Sequence, residues 1–297
     1  MNPEISSTGR LVDRIARNTA LDPLADAVQP MLREALDGSG PLSPLNDLLH
    51  GKPLGHSLHM AVTDVPVGAW TLAALFDGLE IAGRKEFARA ADLAIGIGML
   101  AGVVAIASGL AEWCDTAGEP KRVGTAHAVA NGIGFTAYAV SLGLRLGGRR
   151  RAGIASAMFG YATSSFAAYL GGELSAGYQL GIKHVATPIV PPGDFTAVLA
   201  ESGLLGLEPV RADIAGIPIL LSRDASGEIH AISAVCTHRG APLETGHFGD
   251  GCVTCPWHGA RYALADGSVL AGPATFSLAR FATRVVAGQI EVRPFFA

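Results

Sequence analysis

The sequence predicts a multi-domain protein in which an N-terminal all-α four-helix transmembrane bundle precedes a C-terminal all-β domain. Three observations predict this. Of 297 residues, 49% are hydrophobic and 16% charged, and the mean hydropathy is +0.35, a greasier balance than an ordinary soluble enzyme shows. Four apolar runs follow one another between about Ser57 and Leu174, each near the roughly 20 residues that cross about 30 Å of hydrocarbon. Beyond a cluster of prolines, short runs rich in Val, Ile and Leu alternate with turn signals, the pattern of a β domain. The net charge of −4 argues against a nucleic-acid partner.

Residues 1–52 form an N-terminal region. Its first apolar run is broken by Asp13, Arg14 and Arg17, which is not the pattern of a signal peptide. Leu11, Val12, Ile15 and Ala16 recur at helical spacing, and Leu24 to Leu36 repeats the pattern between Pro23 and Gly38. These segments read as short amphipathic helices packing on the rest of the chain, with a membrane-surface role as the alternative. Pro41, Pro44 and Pro53 punctuate the connection that follows.

Residues 53–184 hold the four predicted spans: His59 to Ile81, Leu93 to Trp113, Thr125 to Leu146 and Gly153 to Leu174. Glycine is abundant in them, including Gly96, Gly98, Gly102, Gly109, Gly132 and Gly134. Each glycine costs a helix about 1 kcal/mol against alanine, whereas closely packed membrane helices use small residues to approach one another. Leu-Gly-His56-Ser-Leu-His59, followed by Thr-Asp64-Val-Pro66-Val-Gly68-Ala-Trp70, resembles the start of the bacterial four-helix membrane domain of unknown function DUF2231. Members of that family commonly show Gly-His-Pro-x-His-Pro and then Asp-x-Pro-x-Gly-x-Trp; here Ser57 and Met60 replace the prolines. The resemblance implies a multi-pass protein of the bacterial cytoplasmic membrane and supplies no activity.

In an up-and-down bundle, the start of span one, the end of span two, the start of span three and the end of span four share one face. His56, His59 and Asp64, then Glu112 and Asp115, His127 and Asn131, and Glu173 and His184 fall at those four places. Ionisable residues in a bilayer are costly and point to function. The readings are a pocket for haem b or a quinone, with His59 and His127 as ligands on facing helices, or a hydrogen-bonded polar cluster that fixes helix packing. For orientation, the loops after spans one and three carry Arg84, Lys85, Arg89, Arg145, Arg149, Arg150 and Arg151, against Lys52, Lys121, Arg122 and Lys183 on the other side. The positive-inside rule then places the C-terminal domain outside. Arg10, Arg14, Arg17 and Arg33 ahead of span one oppose that placement, so the side stays open.

Residues 185–194, with Pro188, Pro191, Pro192 and Gly193, read as a stiff linker. In residues 195–297 the predicted strands are Glu208 to Ala212, Ile217 to Leu221, Ile229 to Ala234, Phe276 to Val286 and Ile290 to Val292. His230 and His247 read as surface residues.

Between these strands stand Cys236-Thr-His238-Arg-Gly-Ala-Pro-Leu and Cys255-Pro-Trp-His258-Gly-Ala. Two thiolates and two imidazoles in two tight loops are a metal-ligand inventory. A structural zinc site usually pairs Cys with Cys and His with His, whereas here every arm is mixed, as a centre with two Cys on one iron and two His on the other requires. The two loops resemble those of the Rieske [2Fe-2S] family, in its ferredoxin and ring-hydroxylating dioxygenase branch. The resemblance implies Cys236, His238, Cys255 and His258 as ligands, with Trp257, Gly259, Tyr262 and Pro273 around them, Pro273 lying in the Gly272-Pro273-Ala274 loop that closes over the cluster.

Rieske proteins of the cytochrome bc type add a disulfide between the loops, and Ala241 and Trp257 stand in those places here. Ala260 also replaces the Ser that raises the potential, while Tyr262 remains. Within a family range of roughly −150 to +300 mV, this implies a low or middle value. Tyr262 has a second reading, as an ordinary core aromatic. Of the other cysteines, Cys252 sits near a ligand and Cys114 ends an apolar run, so no disulfide framework is implied. The resulting expectation is a membrane-anchored one-electron carrier serving a redox partner protein or a quinone. The alternative is a redox sensor whose cluster state regulates the bundle or a partner. A terminal oxygenase would need a further catalytic domain.

Overall fold

The computed structural model describes residues 7–36, 43–183, 194–204, 206 and 208–294. His184 and the prolines of the linker lie outside them. The chain divides into two compact units: a helical one, of the described residues up to Leu36 with Leu58–Gly181, and a β one, of residues 43–57 with the described residues from 182 onward.

In chain order the helices are α1 (Ser7–Ala16), α2 (Asp22–Ala35), α3 (Ser43–Leu49), α4 (Leu58–Ile81), α5 (Ala88–Cys114), α6 (Gly118–Leu146) and α7 (Arg150–Gly172). The last four occupy the four predicted runs. α5 and α6 begin earlier than their apolar stretches, and α7 stops at Gly172, where a wider π turn takes Glu173–Gly177. By length and composition, α4 and the run Lys85–Cys114 suit a membrane crossing among the described residues. α6 carries Lys121, Arg122, His127, Asn131 and Arg145, and α7 opens on Arg150 and Arg151. The expectation of four crossings thus rests on two strongly apolar helices and two more polar ones.

The amphipathic segments pack against these helices. Val12 and Ala16 of α1 are buried with Val123 and Leu170. The Gln29 side-chain amide of α2 donates to the Trp113 and Thr116 carbonyls at 2.9 and 3.2 Å, and Asp22 takes a forked pair of bonds from Arg122. At the other end of the long helices, Arg145 donates to Asp77 at 2.9 and 2.5 Å and to Asp92 at 2.8 Å, with its side chain 2% exposed and that of Asp77 0%. Arg150 bonds Glu80 and Asp92. Arg145 is thus a buried helix residue and Arg150 a paired one, and Lys52, Lys121 and Arg122, counted on the other side, are paired as well.

The β unit holds two sheets. The larger runs β1 (Thr196–Ala200), β10 (Gln289–Pro294), β9 (Arg280–Val286), β4 (Ile229–Ser233), β3 (Ile217–Arg223), β2 (Val210–Ile214); the smaller runs β5 (His247–Gly249), β6 (Cys252–Thr254), β7 (Arg261–Ala263), β8 (Val269–Ala271). The assigned pairs are antiparallel. Ala215-Gly216, Asp250-Gly251 and Ala287-Gly288 close three hairpins with positive φ at both residues, the twist that two-residue hairpins favour. One apolar core, with Ile219, Leu221, Phe281 and Ile290, lies in the larger sheet. A second, with Leu220, Ile232, Val253 and Tyr262, underlies the cysteine loops. α3 belongs to this unit, with Asn46 and His50 buried and Lys52 donating to the Leu270 carbonyl at 2.5 Å. The predicted strand at Phe276 begins at Arg280 instead, and the Phe276 carbonyl ahead of it accepts from the Thr237 hydroxyl at 2.5 Å.

Candidate metal centre

The two cysteine loops are built alike. The Cys236 N–H donates to the Ala241 carbonyl at 2.9 Å and the Cys255 N–H to the Ala260 carbonyl at 2.7 Å; the Gly240 and Gly259 N–H groups return to the Cys236 and Cys255 carbonyls at 2.9 and 3.1 Å. Gly240 and Gly259 have φ of +75° and +70° with open space where a Cβ would stand. The turn itself, not crowding, asks for glycine there.

These turns bring the four candidate ligands together. Cys236 and Cys255 are buried at 1% and 3% exposure, while His238 and His258 are half-buried with ring centres 5.0 Å apart, edge to face. The hydrogen bond with Cys255, then burial, holds the Cys236 thiol well above its usual range, and the same bond draws Cys255 down to about 6. Two sulfurs on the buried side and two imidazoles on the outer side fit the donor set of a Rieske centre.

Around them, Tyr262 is fully buried, with its hydroxyl 3.2 Å from the Cys236 sulfur and 2.9 Å from the Thr237 hydroxyl. Its ionisation is pushed up by burial and then by Cys236. Trp257 is 56% exposed with its ring 6.4 Å from that of His258. Pro273 is buried. The preceding Gly272 has φ of +87°, and a Cβ there would come within 2.9 Å of Ala260 Cα and 3.0 Å of the Gly259 carbonyl. Thr237 and His50 were not singled out in the sequence. His50 is buried, its Nδ1 3.0 Å from the Asn46 carbonyl and its ring 6.5 Å from that of His238. No local pattern joins residues so far apart in the chain.

The residues expected on one membrane face divide between the units. His56 is exposed and belongs to the β unit. In the helical unit Asp64 is exposed and Glu112 half-buried. His59 and His127 meet, with ring centres 6.2 Å apart, and Asn131 Nδ2 lies 3.1 Å from His127 Nε2. The β unit also gathers Asp224, Glu228 and His230. There Asp224 accepts from the Ser226 and Glu228 N–H groups at 2.9 Å each and faces His230 Nε2 at 3.0 Å, which makes the group a hydrogen-bonded turn.

Comparison with known proteins adds to this geometry. The family model of the Rieske [2Fe-2S] domain matches residues 194–282, and that of the predicted membrane protein family DUF2231 matches residues 55–184. Apoptosis-inducing factor 3 of Homo sapiens is 39% identical over 75 residues, 25% of this chain and 12% of its own length. The cytochrome b6-f complex iron-sulfur subunit of Chlorobaculum tepidum is 35% identical over 66 residues, 22% of this chain and 35% of its own. Among solved structures, the ferredoxin of carbazole 1,9a-dioxygenase from Nocardioides aromaticivorans is 26% identical, with a TM-score of 0.33, covering 35% of this chain and 100% of that one. The chain thus spans a minor part of the curated relatives it matches.

Proposed function

We propose that this chain, in which a Rieske [2Fe-2S] domain follows a DUF2231 domain, is a one-electron carrier held at a bacterial cytoplasmic membrane by its helical unit. The observation that carries the reading is the convergence of Cys236, His238, Cys255 and His258 from two like-built loops, sulfurs buried and imidazoles toward the surface. Cys236 and Cys255 would hold the inner iron, and His238 and His258 the outer one. When bound, such a cluster supplies a centre that takes up and gives up one electron. The surrounding residues tune that exchange. Tyr262 hydrogen-bonds the Cys236 sulfur, the buried Pro273 keeps water from the inner side, and exposed Trp257 beside His258 offers a partner an aromatic surface at the imidazole edge.

A multi-pass anchor is supported by the DUF2231 match, by the two apolar helices and by an outward apolar face that includes Leu72, Leu75, Leu93, Leu100 and Phe159. The acceptor or donor is a redox partner protein or a quinone. The test is an electron paramagnetic resonance redox titration of the detergent-solubilised chain. A Rieske signal is expected, lost in Cys255→Ser and altered in spectrum with a lower potential in His258→Cys. An unchanged signal in either variant overturns the ligand assignment. Reoxidation of the reduced chain by a soluble quinone or by a soluble protein acceptor separates the two classes of partner.

A further inference from the structure

The helical unit repeats itself. The hairpin α4–α5 and the hairpin α6–α7 carry the same features at the same spacings. His59 and His127 each stand eleven residues before a ring, Trp70 or Tyr138, and eighteen before a charge, Asp77 or Arg145, and at 3.6 residues per turn these positions share one helix face. On the second helix of each hairpin, Gly98, Ala105 and Gly109 correspond in spacing to Gly160, Ala167 and Gly171.

The contacts repeat too. His59 Nδ1 lies 2.8 Å from the Ala105 carbonyl, and His127 Nδ1 lies 2.8 Å from the Ala167 carbonyl. A Cβ on Gly109 would come within 2.7 Å of the His59 ring, and one on Gly171 within 3.1 Å of the His127 ring. A Cβ on Gly98 would run into the Trp70 ring, and one on Gly160 would meet the Gly134 carbonyl at 3.1 Å and the Tyr138 ring at 3.3 Å. Across the hairpins equivalent positions meet in three layers: His59 with His127, Trp70 stacked on Tyr138 at 4.4 Å, and Asp77 bonded to Arg145.

We infer that this duplicated hairpin carries a second centre, with His59 and His127 as the two axial ligands of one haem iron. A carbonyl can only accept, so each imidazole carries its proton on Nδ1 and leaves the Nε2 lone pair for a metal, the arrangement metal-bound histidines show. Asn131 Nδ2, donating to His127 Nε2 at 3.1 Å, marks that lone pair and would yield it. Ring spacing selects the coordination. With a metal–nitrogen bond of about 2.0–2.1 Å, two imidazole centres lie roughly 6.3 Å apart on opposite sides of a metal and roughly 5 Å apart at a tetrahedral angle. The observed 6.2 Å agrees with the opposed spacing.

The experiment is a hemin titration of the full chain in detergent. One equivalent should bind with a low-spin, six-coordinate optical spectrum, and His59→Ala and His127→Ala should each lose the low-spin bands. Should those variants fail to fold, His59→Met and His127→Met keep a ligand atom and should shift the bands instead. Repeating the titration on Cys255→Ser, where low-spin binding should persist, separates this inference from the reading of the β unit. No stoichiometric binding, a spectrum indifferent to either histidine, or uptake of one copper or zinc ion in place of hemin overturns it.

Discussion

Both units build a paired site by using one local element twice, and they differ in how far the element reaches along the chain. In the β unit the repeated element is a six-residue turn, Cys236 to Ala241 and Cys255 to Ala260, closed by the same two backbone hydrogen bonds. In the helical unit it is a whole hairpin, whose matching residues are spread over eleven and eighteen positions. The short element keeps its chemistry in both copies. The long one has diverged at the layers away from the histidines, to Trp70 against Tyr138 and Asp77 against Arg145. Divergence there has produced complementarity, since two like charges could not share the buried layer that an aspartate and an arginine occupy as a pair.

The largest expected effect breaks that layer. Arg145→Ala leaves Asp77 charged and buried without its partner, at a cost of about 3–5 kcal/mol, whereas Asp77→Ala leaves Arg145 with Asp92 alone, at a smaller cost. Asp77→Leu combined with Arg145→Met should recover most of that stability, because it removes both charges together. Thermal unfolding of the detergent-solubilised chain is the measurement. Full stability of Asp77→Ala would show that Asp92, which also bonds Arg145, holds the arginine by itself, and a double variant no more stable than Arg145→Ala would break the account.

The same contrast explains what was legible. Ligand types and spacing within six residues were open to reading, and so were the four long apolar runs and five strands of the larger sheet, all but Thr196–Ala200. The smaller sheet was not, because its strands, such as Cys252–Thr254 and Arg261–Ala263, are too short to show a period. His59 and His127 were named as a facing pair, yet the repeat around them was hidden. Its shared features are glycines and alanines common throughout these helices, and its distinctive layers no longer match by residue type. Tyr262 had two readings in the sequence. Its hydroxyl beside the Cys236 sulfur favours the tuning one.

A middle-sized effect separates two kinds of glycine at the cluster loops. Gly240→Ala meets only an unfavourable φ, about 1 kcal/mol, because nothing stands where its Cβ would go. Gly272→Ala meets the same strain and also the backbone of Ala260 and Gly259. It should cost about 2–3 kcal/mol and displace the second loop, lowering cluster occupancy as measured by iron content per chain. Equal effects of the two substitutions would remove the proposed closure over the second loop.

Tyr262→Phe and Thr237→Val should move the cluster potential in opposite directions. Thr237 donates its proton to the Phe276 carbonyl, so the single Tyr262 proton is divided between the Thr237 oxygen and the Cys236 sulfur. A hydrogen bond to sulfur stabilises the reduced, more negative centre. Its loss in Tyr262→Phe should lower the potential by about 40–60 mV, the one-electron equivalent of about 1 kcal/mol. Thr237→Val removes the competitor and should raise the potential by a smaller amount. Shifts of the same sign would break this account of the tyrosine.

The smallest effect belongs to the Asp224 turn, remote in kind from either paired site. Hydrogen bonds from the Ser226 hydroxyl and then His230, with backbone N–H groups, hold the Asp224 carboxyl well below its ordinary 3.8. A native value below the unfolded one means that the unfolded state takes up the proton first. The stabilising contribution is therefore complete above about pH 4 and fades as pH falls from 3.8 toward the lower native value. Asp224→Asn keeps an oxygen for the turn and removes the charge. The variant should be slightly less stable at neutral pH, and the difference should shrink through that acid window in denaturant unfolding. A difference independent of pH would assign the effect to turn geometry, whereas one that shrinks would assign it to the carboxylate.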